Sequence, residues 1–297
     1  GDQVMDKAMQ QFATRHRELP PLHWKLDTLR LTPYITVTAE QMAQLRGIAE
    51  KTGAKSVFDN NTLAVWGLHF IIGRRPGEYH YVMNQDDLRE ILRQVITGKQ
   101  FSDFEIVYVH WHQNRYLFQH YSFDHYPADF ETEFAHDVIN EGADEFVGTG
   151  VHTIKGVEVY KGKPILYDVS NFFVQEMIVH SWRDFGGQPP VPPSGPIVGE
   201  GQVNYAQWAW MTHPANLQAL EVQTCWNGAK LNQVRIYPVA LGGPNRPWDM
   251  DGIPERPNPA DANTILQDVA RYSKPFGTHI DIQNGVGVIH VSSGGCQ

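Results

Sequence analysis

Cysteine is scarce. The 297 residues contain two, Cys225 and Cys296, which excludes a disulfide framework and leaves open either one bridge or a free thiol near the C-terminus. Long apolar runs are missing too, and no stretch approaches the roughly 18 apolar residues that a membrane-spanning helix needs. The start, Gly1-Asp2-Gln3-Val4-Met5, has no charged and then apolar leader. The chain therefore reads as soluble as it stands, with an extracytoplasmic location open because a removed targeting segment leaves no mark. Positive charge is in deficit: 24 Lys and Arg face 33 Asp and Glu, for a net charge of −9. No basic run reverses this, so nucleic acid is excluded as a partner. A polyanion is also repelled by the average surface, so any anion must be held by a local cation or a metal. No Gly-x-Ser-x-Gly elbow, phosphate-binding P-loop or His-Glu-x-x-His occurs.

What is present is an ordinary globular balance, 41% apolar and 19% charged, enough to bury a core without staples. Met5, Met9 and Phe12 predict a helix over 1–19, stopped by Pro20-Pro21. Trp24 to Val37 is extended. Thr38 with Gln41 three residues on predicts a capping box, and Met42, Leu45 and Ile48 an apolar stripe ended by Gly53. Leu63–Trp66 and His69–Ile72 read as short strands, and a helix from Asn84 or Gln85 is expected to close at Gly98.

Glu105 to Val109 is a strand ending at His110. Ala128 to Asn140 is helical through Phe130, Phe134, Val138 and Ile139, and Glu145-Phe146-Val147 is a short strand. Together they make a βαβ unit with a right-handed crossover. Lys161-Gly162-Lys163 joins a hairpin. Further strands are expected over Leu217–Trp226 and Leu231–Val239 about Asn227-Gly228, then a helix over Pro259–Tyr272 and a strand over Gly285–Ile289. Pro- and Gly-rich loops fill 185–201 and 242–261. The predicted fold class is α/β, a layered sandwich with mixed β-sheets, as one domain over 1–297.

Chemistry concentrates at two strand ends. His110-Trp111-His112 closes an apolar strand, where open α/β sheets gather ligands, and His-x-His in extended chain turns both rings to one side. Neutral imidazole binds divalent metal through one ring nitrogen. Gly148-Thr149-Gly150-Val151-His152 ends the neighbouring strand, so His152 is expected in the same crevice. Asp168 or Asn171 is placed to orient a ligand histidine, or simply closes a strand before Phe172-Phe173 enters the core. His120 and His125 lie in an aromatic loop that either rims a pocket or packs on the sheet. His136 is expected on the exposed side of its helix. Glu105, Asp124 and Asp144 are carboxylates that can support a ligand. His180, His213, His279 and His290 carry no supporting pattern.

The ordered set Val109-His110-Trp111-His112-Gln113, Gly142-Ala143-Asp144-Glu145-Phe146-Val147-Gly148, Val151-His152 through Ile165, and Asn171-Phe172 resembles the CapA family. These are metallophosphoesterase-like proteins linked to poly-γ-glutamate capsule synthesis. The resemblance implies a metallophosphoesterase-like sandwich holding one or two divalent ions (Mn, Zn or Fe). It implies His110 and His152 as metal ligands, His112 as a ligand or an acid/base group, and a catalytic part for His112 and His152. Asp168 and Asn171 would orient them, and Thr149 and Asn114 would contact substrate.

Two departures stand out. Thr149 occupies a place where the family often has a ligand histidine. The early Gly-Asp, Asn-x-Glu and Asn-Asn-His motifs are only echoed, by Gly1-Asp2 and Asp59-Asn60-Asn61, so either the site is reduced or a preceding portion is missing. The function implied is a metal-dependent hydrolase of a phosphoester or of an amide-type peptide or polyglutamate-like substrate. An epimerase moving a proton at Cα and a non-catalytic accessory protein in an envelope-associated complex are the alternatives.

Overall fold

The structure is a computed structural model that describes residues 28–116, 124–173, 213–242 and 252–296. The helix expected over 1–19, most of the aromatic loop with His120, the 185–201 loop, His180 and much of 242–261 lie outside the described residues.

The first sheet comprises β1 (Leu31–Val37), β2 (Ser56–Asp59), β3 (Thr62–Val65), β4 (Leu68–Ile72) and β5 (Tyr79–Met83), in the order β2-β3-β4-β1-β5. Only β1 and β4 run parallel. Between β1 and β2 lies α1 (Ala39–Thr52). The Gln41 N–H donates to Thr38 Oγ1 and the Thr38 N–H to Gln41 Oε1, closing the expected capping box. Gly53 ends the helix at φ 66°. Met42 and Ala49 then pack on Leu63, Val65 and Phe70.

Helix α2 (Gln85–Phe101) is capped by Asn84, whose side chain accepts from the Asp86 and Asp87 N–H groups. It does not close at Gly98 but continues one more turn. A Cβ on Gly98 would collide with the Glu105 carboxylate, so this glycine provides room for a neighbour and marks no helix end.

The second sheet carries the site. β6 (Ile106–His110), β7 (Glu145–Thr149), β8 (Val157–Tyr160) and β9 (Lys163–Leu166) are ordered β6-β7-β9-β8. β6 and β7 are parallel and α3 (Asp129–Asn140) crosses between them, the expected βαβ unit. β8 and β9 form the expected hairpin, turning at Lys161 (φ 51°) and Gly162 (φ 75°) as a two-residue turn of this hand requires. Phe130, Phe134, Ala135 and Val138 of α3 pack on Phe146 and Ile165 of one sheet face and reach Leu88 and Val95 of α2. Each large side chain so buried contributes about 1.5–3 kcal/mol.

The other face of that sheet, through Val157 and Leu166, meets a third, antiparallel sheet. Its strands are β10 (Gln218–Asn227), β11 (Lys230–Ala240), β12 (Asp281–Gln283) and β13 (Val286–His290), ordered β10-β11-β13-β12. Helix α4 (Pro259–Ser273) shares this core through Ile265, Leu266 and Val269. The β10–β11 turn is Gly228-Ala229, one residue later than the Asn-Gly pair implies, since Asn227 still pairs with Lys230. Cys225 on β10 is bonded to Cys296, Cα atoms 5.1 Å apart, tying the C-terminal segment to this sheet. The described residues form an α/β layered sandwich. Two of its sheets are mixed, and no helix among these residues is long and apolar enough to cross a membrane.

Candidate functional site

Strand β6 alternates: Ile106, Tyr108 and His110 face solvent while Val107 and Val109 face the core. Trp111 continues the inward series, 5% exposed and packed on Phe130 and Phe146. That anchor turns His110 and His112 to the same outer side. Their Nε2 atoms stand 2.9 Å apart and their ring centroids 4.9 Å apart.

In the parallel register His110 pairs with Thr149 of β7. The chain then turns at Gly150 (φ 123°), where a Cβ would collide with the Trp111 backbone, so only glycine lets the two loops touch. Two residues on, the His152 ring lies 5.5 Å from the His112 ring. The two strand ends thus bring all three imidazoles together, with His112 in the middle.

The partners of these rings set their tautomers. His152 Nδ1 donates to Asn171 Oδ1 at 2.7 Å, which fixes the ring's orientation and puts the proton on Nδ1. Thr149 Oγ1 lies 3.4 Å from His110 Nδ1 and 2.7 Å from the Tyr108 hydroxyl. Burial, and then the neighbouring His152 and His110, hold the His112 pKa below its ordinary value.

His152 has a left-handed backbone, φ 61°, as does Ser170 at 65°; such geometry in non-glycine residues costs about 1–3 kcal/mol each. The restraint comes from Asp168, 1% exposed, whose carboxylate accepts from the Val151 and Ser170 N–H groups. Ser170 Oγ in turn donates to the His152 carbonyl. Asp168 therefore positions the backbone of the His152 loop, while Asn171 contacts the ring. Burial raises the Asp168 carboxyl to about 7 against the pull of Lys155.

Several expectations are corrected. Glu105 and Asp144 sit at the opposite end of the strands from the imidazoles, because both precede the strands that the histidines follow. There Asp144 takes Lys99, Lys163 and the Glu105 N–H. Asp124 forks Arg115. His136 is not on an open helix face: it stacks on Tyr160, centroids 3.8 Å apart, and faces Glu158 at 3.0 Å. Phe172 and Phe173 do not enter the core but are 74% and 56% exposed. His125 stacks on Tyr272 and bonds the Ile154 carbonyl, so it packs down on the fold. The Asn114 carbonyl accepts from the Tyr81 hydroxyl, a framework contact separate from the substrate contact expected of its side chain.

Sequence reasoning missed Lys155 and Glu131, a buried pair at 2.5 Å with side chains 1% and 0% exposed. The signal was there: Glu131 lies on the same helical stripe as Phe134, Ala135 and Val138. A carboxylate in an apolar stripe calls for a buried cation.

Among the described residues no group of three or more His, Cys, Asp or Glu is set to hold a metal ion. The 2.9 Å separation of the His110 and His112 Nε2 atoms matches that of two ligands on one ion, since two nitrogens at about 2.0–2.1 Å from an ion lie about 3 Å apart.

Residues 32–176 match the family model described as bacterial capsule synthesis protein PGA_cap. The chain is 31% identical over 278 residues to two Sinorhizobium fredii proteins, y4sH and y4uA, both described as uncharacterized. That match covers 90% of this chain and 58% of theirs, so the chain spans little more than half the length of these relatives. It is 30% identical over 103 residues to a probable polyglutamine synthesis accessory protein of Mycobacterium tuberculosis, covering 35% of this chain and 23% of that one. It is 32% identical over 78 residues to the PGA biosynthesis protein CapA of Bacillus subtilis, covering 26% and 18%. The family-model match takes in both histidine loops, the βαβ unit and the hairpin after them, so residues 32–176 form a region of the bacterial capsule synthesis (CapA) family.

Proposed function

We propose that the three-imidazole crevice is a metal-assisted hydrolytic centre acting on a phosphoester or amide linkage of an anionic, capsule-type polymer such as poly-γ-glutamate. The single observation that carries this reading is the 2.9 Å approach of the His110 and His112 Nε2 atoms. At that distance either one ring's Nε2–H donates to the other's Nε2 or both lone pairs face a common cation, and the second is the state proposed for the loaded site. A divalent ion (Mn, Zn or Fe) bound there would supply a Lewis acid and lower the pKa of a coordinated water. Of the roles implied by resemblance, the distances favour the one that makes His112 a ligand beside His110, with His152 as acid/base.

Each residue has a task of its own. For His110 Nε2 to bind, Nδ1 must keep its proton, and Thr149 Oγ1 is placed to accept it. The depressed pKa of His112 keeps it neutral and ready to ligate. His152, with Nδ1–H committed to Asn171, offers Nε2 to take a proton from the attacking water and return it to the leaving group. The Asp168 clamp holds that ring against the strain of its backbone.

The test is reconstitution with Mn²⁺, Zn²⁺ or Fe²⁺, followed by metal analysis and assay on poly-γ-glutamate and an aryl phosphate. Wild type is expected to retain one ion per chain and cleave one substrate class. His110→Ala should lose the ion, and His152→Ala should keep it while losing turnover by about 10²–10⁴-fold. Retention well below one ion in wild type removes the hydrolytic reading. It would leave the accessory role, which the printed description of the Mycobacterium tuberculosis relative supports.

A further inference from the structure

Between the first sheet and the N-terminal end of α3 lies a cleft of about 870 Å³, lined among others by Arg74, Arg75, Glu78, His80 and Arg115. We infer that this cleft is a binding site for an oxyanion group, a carboxylate or a phosphate, and that Arg115 and Arg74 are its anchors.

Arg115 is prepared for that role. Its Nε and Nη2 both donate to the buried Asp124 carboxylate. Its guanidinium lies 5.0 Å from the Tyr116 ring centroid and 4.9 Å from that of Tyr126. A guanidinium held by a carboxylate fork and two aromatic rings has lost its freedom before any ligand arrives, so binding costs less order. Its Nη1 lies outside the Asp124 fork and is absent from the buried, unbonded atoms, on a residue that lines the cleft.

Arg74 stands on the turn from Gly73 to Gly77. Three backbone bonds pin that turn: Gly73 N–H to the Val37 carbonyl, Gly77 N–H to the Thr36 carbonyl and Glu78 N–H to the Arg75 carbonyl. No ion pair or hydrogen bond engages the Arg74 side chain among the described residues. The acidic groups of the cleft are already used: Glu78 faces Arg75 at 3.5 Å and Asp129 faces His80 at 2.6 Å. On a chain of net charge −9, Arg74 without an ion pair among the described residues and Arg115 with Nη1 outside its Asp124 fork put guanidinium donors at one cleft, beside Glu78, whose charge also acts on Arg115. Guanidinium is the side chain best matched to planar or tetrahedral oxyanions.

The site is distinct from the imidazoles but close to them. Arg115 follows His112 by three residues, so their Cα atoms are at most about 11 Å apart. A flexible polyanion can engage both, although the binding inferred here does not depend on chemistry at the histidines.

Calorimetric titration of metal-stripped, full-length protein tests the inference, with an oligoglutamate peptide, tripolyphosphate and a neutral oligoglutamine as probes. Binding of either anion, weakened by salt and absent for oligoglutamine, is expected, and the probe that binds identifies the oxyanion. Arg74→Glu, an exposed substitution that spares the core, should weaken binding roughly tenfold or more, while a His110→Ala/His112→Ala double variant stays within about twofold of wild type. The inference is overturned if neither anion binds, if Arg74→Glu stays within about twofold of wild type, or if the histidine variant removes the binding.

Discussion

The two ends of the β6–β7 pair carry equally polar side chains and use them in opposite ways. At the N-terminal end Asp144 is met by Lys99, by Lys163 and by a backbone N–H, and both lysines reach it from outside the strand pair. Its charge is matched and turned inward. At the C-terminal end His110, His112 and His152 crowd one another, with His110 and His112 exposed and their Nε2 atoms facing each other. Matched charge holds a fold together. Ionisable groups gathered at the C-terminal end of parallel strands stand where such sheets collect ligands.

The strongest way to break this comparison lies beneath the imidazole end. Lys155→Met leaves Glu131 and Asp168 buried without their cation, and is expected to cost about 3–5 kcal/mol of stability in urea titration. Adding Glu131→Leu should recover part of that loss, because an apolar pair no longer strands a charge.

Next comes the N-terminal end, where Asp144→Ala should cost about 2–3 kcal/mol near neutral pH and leave metal retention unchanged. Burial pushes the Asp144 carboxyl up, but hydrogen bonds from Lys163, Lys99 and the Glu105 N–H outweigh it, so the group sits below its ordinary value. The unfolded chain therefore binds the proton first as acid is added. The stabilisation is complete above about pH 4, the unfolded value, and fades as pH falls through the lower folded value. Wild type and Asp144→Ala should converge in stability at low pH.

The smallest effect on stability belongs to His110→Ala, expected within about 0.5 kcal/mol of wild type by the same titration. If it destabilised the fold as much as Asp144→Ala, the imidazole end would be a structural element too, and the contrast between the two ends would be lost.

Much of the architecture was legible because it is written in local terms. The Thr38–Gln41 cap, the βαβ unit and the Lys161-Gly162 hairpin depend on residues near one another in the chain, and each forms where the pattern puts it. The convergence of two histidine loops was legible as well, since parallel strands joined by one helix end on the same side. What stayed hidden depends on remote neighbours. Gly98 reads as a stop until Glu105 is seen beside it. His136 reads as exposed until the Val157–Tyr160 strand brings Glu158 and Tyr160 across its face. Glu105 and Asp144 look like companions of the histidines until strand direction separates them.

By itself the sequence determined where the described helices begin, most of the strands though not Ser56–Asp59, Tyr79–Met83 or Asp281–Gln283, and which loops carry imidazole, because periodicity and capping act over a few residues. Only the tertiary structure decided the 2.9 Å meeting of two ring nitrogens, the Asp168 hold on a left-handed His152, and the cleft that leaves Arg74 and Arg115 open. Those depend on distances between segments far apart in the chain, and such distances are set by packing the whole core at once.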